Sequence, residues 1–124
     1  SQMSPTQMFA NPPLKASSII GTKVLNPDNE NLGDIKEVVI DPCTGRVGYA
    51  VVSFGGFLGV GEKLFAVPFN ALKYNETIGS YYLDIAKERL EAAPGIDPEH
   101  WPSLADEKWN SDVHAFYGCT PYWQ

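Results

Sequence analysis

The chain has 124 residues, of which 44% are hydrophobic, 12% aromatic and 19% charged, a balance that excludes a disordered polymer and leaves room for one folded domain but not two. The 15 Asp and Glu against 9 Lys and Arg give a net charge of −6, opposite to the basic face on which nucleic-acid binding depends. No apolar run approaches the roughly 20 residues needed to span a bilayer. The start, Ser1-Gln2-Met3, has neither the basic nor the apolar segment of a signal peptide, so no uncleaved leader is expected; a removed one would leave nothing to read.

Residues 1–15 mix Pro, Ser, Gln and Asn without apolar periodicity and read as a flexible arm. From Ala16 to about Ile85 the pattern is one of short strands separated by turns. Thr22–Leu25 runs into the turn Asn26-Pro27-Asp28-Asn29, and Leu32–Ile40 follows as a strand in which Gly33 marks a bulge or a close approach. Asp41–Gly45 is a tight turn, and Arg46–Phe54 is the strongest strand, apolar enough for burial partly on both faces. After the glycine-rich stretch 55–63, Leu64–Pro68 returns as a strand ended by a proline that cannot donate to a ladder. Phe69–Leu72 predicts one helical turn, Asn75–Ser80 a polar turn, and Tyr81–Ile85 the last strand. Beyond it, Ala86–Ala93 is built of helix formers stopped by Pro94-Gly95, and Asp97-Pro98-Glu99 has the form of a helix start. Trp109, Val113, Phe116 and Tyr117 then fall on one helical stripe within 106–117.

The glycine-rich loop does not carry phosphate chemistry. Gly61 is followed by Glu62-Lys63-Leu64, which sets a carboxylate where phosphate would sit and supplies no hydroxyl, and no third glycine or helix completes a dinucleotide fingerprint. Phe57, Leu58 and Val60 must pack on something, either within the chain or on a second copy. His100 and His114 are too few for a metal site without help from carboxylates or the Cys119 thiol, and no His-x-x-x-His or His-Glu-x-x-His spacing exists. They read as histidines bonded at the edge of an aromatic cluster. Cys43 sits in a turn with no sequence-near base, Cys119 lies far from it, and neither belongs to a Cys-x-x-Cys pair. No catalytic residue, cofactor or metal is expected. The rings Trp101, Trp109, Phe116, Tyr117, Tyr122 and Trp123 exceed what a solvated tail needs, and packing them over one barrel flank would enlarge a core that ~70 residues leave marginal.

Ala16–Gly21, Leu32-Gly33-Asp34-Ile35 with Val39-Ile40-Asp41, Gly45–Val52, Phe54–Lys63 and Phe65-Ala66-Val67-Pro68 with Leu72 stand in an order that resembles the PRC-barrel family. The resemblance covers about Ser17 to Leu90, and Ala93-Pro94-Gly95 followed by Trp101-Pro102 resembles bacterial stand-alone members. It implies a small closed β-barrel. In relatives the barrel forms the cytoplasmic part of the photosynthetic reaction-centre H subunit, and a domain of the ribosomal-RNA maturation factor that docks on a ribosomal protein. It serves there as an adaptor, with no catalytic residues to carry over. This sequence departs from both patterns, showing neither the H subunit's membrane helix nor the maturation factor's amino-terminal domain, so the resemblance implies the barrel without itself implying the electron-transfer or ribosome role.

The expectation is therefore a mainly β protein: a flexible arm (1–15), a closed PRC-type barrel of five to six short strands (16–90) and a helical, aromatic-rich extension (91–124) packed on it. Its expected role is that of a non-enzymatic, cytoplasmic protein-binding or assembly module. It would form a homo-oligomer, a dimer in the simplest case, through Phe57, Leu58 and Val60, with an unidentified protein partner and no nucleic acid or membrane insertion. One alternative is a small-molecule or metal-binding protein with its pocket between barrel and extension, using His100 and His114. Another is a peripheral component of a photosynthetic or other membrane complex.

Overall fold

The computed structural model describes residues 14–55, 62–93, 95–97 and 107–119. It begins with a one-turn helix, α1 (Ala16–Ile19), where strand signals had been expected, and continues with β1 (Lys23–Leu25), β2 (Asn31–Ile40), β3 (Val47–Phe54) and β4 (Lys63–Pro68). A 3-10 turn (Phe69–Ala71) leads to β5 (Leu72–Asn75), β6 (Ser80–Leu83) and α2 (Lys87–Glu91), and α3 (Glu107–Phe116) closes the described chain. Strand β5 carries no alternating apolar signal, because three of its four residues are exposed.

The six strands form one sheet in the order β4-β3-β2-β1-β6-β5. Consecutive strands β2, β3 and β4 make an antiparallel meander, and β1 lies parallel to β6 with Val24 opposite Tyr81. The edge strands β4 and β5 are neighbours in the chain, joined only by the 3-10 turn, and no ladder connects them among the described residues. The sheet is curled into a half-barrel: all six strands feed one inner core, Val24, Leu32, Ile35, Ala50, Val52, Phe54, Phe65, Val67, Leu72, Tyr81 and Leu83. Ile19, Ile85, Leu90 and Ala93 join the same core from outside the strands. A fully buried side chain of this size contributes roughly 1.5–3 kcal/mol.

Alternation along β3 and β4 sends Tyr49, Val51, Leu64 and Ala66 to the opposite face, where they meet Ile96, Val113, Trp109 and Tyr117 in a second core. These two strands are thus buried on both sides, which explains their near-continuous apolar sequence. The extension is anchored at two places. Ile96 bridges β4, its N–H donating to the Leu64 carbonyl at 2.7 Å, and α3 covers the outer face.

Two glycines have a physical reason to be there. Gly45 (φ +75°) closes the β2–β3 turn, its N–H donating to the Asp41 carbonyl at 2.7 Å. Gly33 (φ +125°) lets β2 pass against β3 so closely that a Cβ would stand 2.2 Å from the Ser53 carbonyl oxygen. Its role is the close approach its position in the sequence signalled.

Candidate functional site

Phe57, Leu58 and Val60, the sequence's candidates for an interface, lie outside the described residues. The stem that carries them does not. β3 ends at Phe54 and β4 begins at Lys63, and these two residues pair directly across the hairpin. Beside them Glu62 accepts a hydrogen bond from Lys36 Nζ on β2 at 2.6 Å, and its second oxygen accepts the Ser53 hydroxyl of β3. Three strands are thereby fastened at the loop's mouth. The Lys36 ammonium foremost, with the Ser53 hydroxyl, holds the Glu62 carboxyl below the usual carboxylate range. The carboxylate read in the sequence as incompatible with phosphate is an intrachain tie.

A second constellation joins sheet to extension. Tyr49 on β3 donates its hydroxyl to the Asn110 side-chain oxygen on α3. Its ring meets Trp109 at 5.4 Å and the edge of His114 at 5.5 Å between centroids. His114 is 1% exposed, with Nδ1 2.8 Å from the Asn110 carbonyl oxygen one turn back. Apolar periodicity found the stripe but missed Asn110, a polar residue buried because a tyrosine hydroxyl awaits it across the interface. Its spacing, one position beyond Trp109 and one turn before His114, was the available signal.

Of the remaining sequence candidates, the two cysteines are not joined. His100 lies outside the described residues, as do Trp101, Tyr122 and Trp123. Cys43 is exposed in the β2–β3 turn, Cys119 is half-buried, and both thiols are free. Burial pushes the Cys119 thiol up, away from the reactive thiolate form. Among the described residues no group of three His, Cys, Asp or Glu could hold a metal ion, and no helix is long and apolar enough to cross a membrane.

A family model for the PRC-barrel domain matches residues 14–90, more than half of the chain and all six strands. The chain belongs to the PRC-barrel family. The matched segment ends within α2, so α3 lies beyond it, and with it the Ile96 and Val113 side of the second core, whose other side, Tyr49, Val51, Leu64 and Ala66, lies inside the match. Among solved structures the chain is similar to a Pseudomonas aeruginosa protein described as the 16S ribosomal RNA processing protein RimM. The two share 13% identity and a TM-score of 0.42, over 68% of this chain and 47% of the other; the PRC-barrel chain thus aligns with about half of that protein's length. No curated protein matches the chain in sequence.

Proposed function

We propose that this PRC-barrel protein is a non-enzymatic, cytoplasmic assembly module that self-associates through the β3–β4 loop and presents it to a protein partner. The observation that carries the reading is the stem. Two strands buried on both faces, and tied across their mouth by Lys36, Glu62 and Ser53, support a loop whose sequence sets Phe57, Leu58 and Val60 among four glycines and spends no charge. Large apolar residues held at the end of a fixed support are what a binding surface needs, since ordering the support beforehand lowers the entropic cost of association. The family membership supports the barrel as scaffold, and the role assigned to it is our own.

The test is light scattering on a size-exclusion column, at tens of micromolar protein, for wild type and the Phe57→Asp/Leu58→Asp double variant. A wild-type dimer and a monomeric variant of unchanged melting temperature are expected. A monomeric wild type, or a dimer indifferent to both charges, would overturn self-association through this loop.

A further inference from the structure

Tyr49 and Val51 on β3 and Leu64 and Ala66 on β4 turn away from the inner core and are covered, among the described residues, by Ile96 and α3. As a cover for an apolar patch, α3 is unusually polar. Its buried residues are Asn110, Val113 and His114, so only one of the three is aliphatic. The helix is held by the Asn110 side-chain oxygen on the Tyr49 hydroxyl and by the Trp109 and His114 rings on the Tyr49 ring. At its far end the Arg89 guanidinium lies 4.5 Å from the Phe116 ring centroid and donates to the Phe116 carbonyl oxygen at 3.3 Å. Tyrosine, tryptophan and arginine anchors around a polar centre are the make-up of an exchangeable protein contact and not of a domain core. A helix of 10 residues does not persist alone in water, so α3 is either folded on this face or melted. Residues 98–106 join it to Asp97 and span about 30 Å when extended. The helix can therefore leave while Ile96 stays bridged to Leu64.

We propose that the outer face of β3 and β4 is a docking site for an amphipathic helix of a partner protein, and that α3 is its resident occupant, displaced when the partner binds. The seated helix shows what the incoming one must carry. An aromatic ring followed directly by an amide side chain takes the Tyr49 ring and hydroxyl, as Trp109 and Asn110 do. A small aliphatic residue four positions after the ring joins Val51, Leu64 and Ala66, as Val113 does. Because α3 is tethered to the face it covers, it competes at an effective concentration on the order of millimolar, and weak or ill-matched helices are kept out. The proposal goes beyond self-association through the β3–β4 loop and does not depend on it.

Two measurements on the full chain test it. Hydrogen exchange of the wild type, followed by NMR at rising sub-denaturing urea, should show the amides of 111–116 opening separately from those of β2 and β3. A fluorescein-labelled peptide of residues 106–118 is then titrated into the wild type and into Val113→Asp, whose own helix is unseated. The β1, β2 and β6 amides of the variant report whether its barrel stays folded. Saturable binding to Val113→Asp is expected, with shifts at the amides of 49–51 and 64–66. Binding to the wild type should be at least tenfold weaker, as should binding of a peptide that itself carries Val113→Asp. Exchange of the α3 amides only together with the whole sheet, loss of the barrel in Val113→Asp, no binding to that chain, or equal binding to both chains would each overturn the proposal. Intermolecular NOEs between α3 of one wild-type copy and β3 of another would give the face to a second copy and overturn a foreign partner.

Discussion

Tyr49 and Asn110 stand 61 residues apart in the chain, and the hydrogen bond between them is a buried polar tie between the sheet and α3. The Tyr49 hydroxyl could not be removed cheaply. Tyr49→Phe keeps the ring contacts with Trp109 and His114 but takes the donor from a buried amide oxygen. Losing a buried hydrogen bond of this kind costs about 0.5–1.5 kcal/mol. Urea unfolding should show that loss in the midpoint with an unchanged slope, and a loss under 0.5 kcal/mol would mean that water replaces the tyrosine.

Gly33→Ala is expected to be among the costliest single-atom additions in the barrel. The new methyl would meet the Ser53 carbonyl oxygen at 2.2 Å, and φ +125° is itself unfavourable for alanine. Clash and strain together should cost about 3 kcal/mol or more. Gly21→Ala separates the two effects, because φ is +91° there but nothing lies within 4 Å. It should cost only ~1 kcal/mol. Equal thermal shifts for the two variants would show that the β2–β3 approach relaxes.

Glu62 predicts a weak acid sensitivity at the loop stem. Its folded pKa is lowered, by Lys36 first and Ser53 second, so its contribution is present above the ordinary carboxylate pKa and is lost as pH falls through the folded value. The protection of the Ser53 and Lys63 amides against hydrogen exchange, taken relative to each amide's intrinsic rate at that pH, should fall below about pH 4. Glu62→Gln should show the faster exchange already at neutral pH, and the same pH profile in both proteins would remove the carboxylate from the account.

Tyr117 acts in the opposite range. Burial raises its phenol above the usual value, so the folded state favours the neutral form. That stability is complete below the unfolded pKa of about 10 and declines as pH rises above it. The wild type should lose more stability between pH 9 and pH 11 than Tyr117→Phe. Parallel alkaline curves would mean that the phenol reaches solvent.

The β meander was legible in local sequence because each strand is bounded by residues with a conformational reason to turn. Asp41 bonds the Cys43 amide at 2.8 Å and Gly45 takes the positive φ, while Asn26 accepts the amides of Asp28 and Glu30 at 3.1 and 2.8 Å. Burial on both faces of β3 was legible for a related reason. Tyr49, Val51 and their neighbours form an apolar run too continuous for a strand with a wet side. Strand β5 was not legible, since an exposed edge strand is held by β6 and not by its own pattern. The short α1 was missed because a single turn has no period for the sequence to show. The contact of Arg89 with Phe116 was also out of reach, because the two residues are 27 positions apart and only folding stacks the guanidinium on the ring.

The sequence by itself determined the local decisions: where strands stop, where only glycine fits, and which helix face is apolar, because each rests on a few adjacent residues. Only the tertiary structure decided the long-range ones. That β1 lies beside β6, that Lys36 and Glu62 close the loop stem, and that Asn110 is buried under Tyr49 all depend on partners 26 to 61 residues distant. Each of these side chains is polar or ordinary in its own neighbourhood, and its value arises only when folding brings the complementary group within hydrogen-bonding reach and removes the competing water.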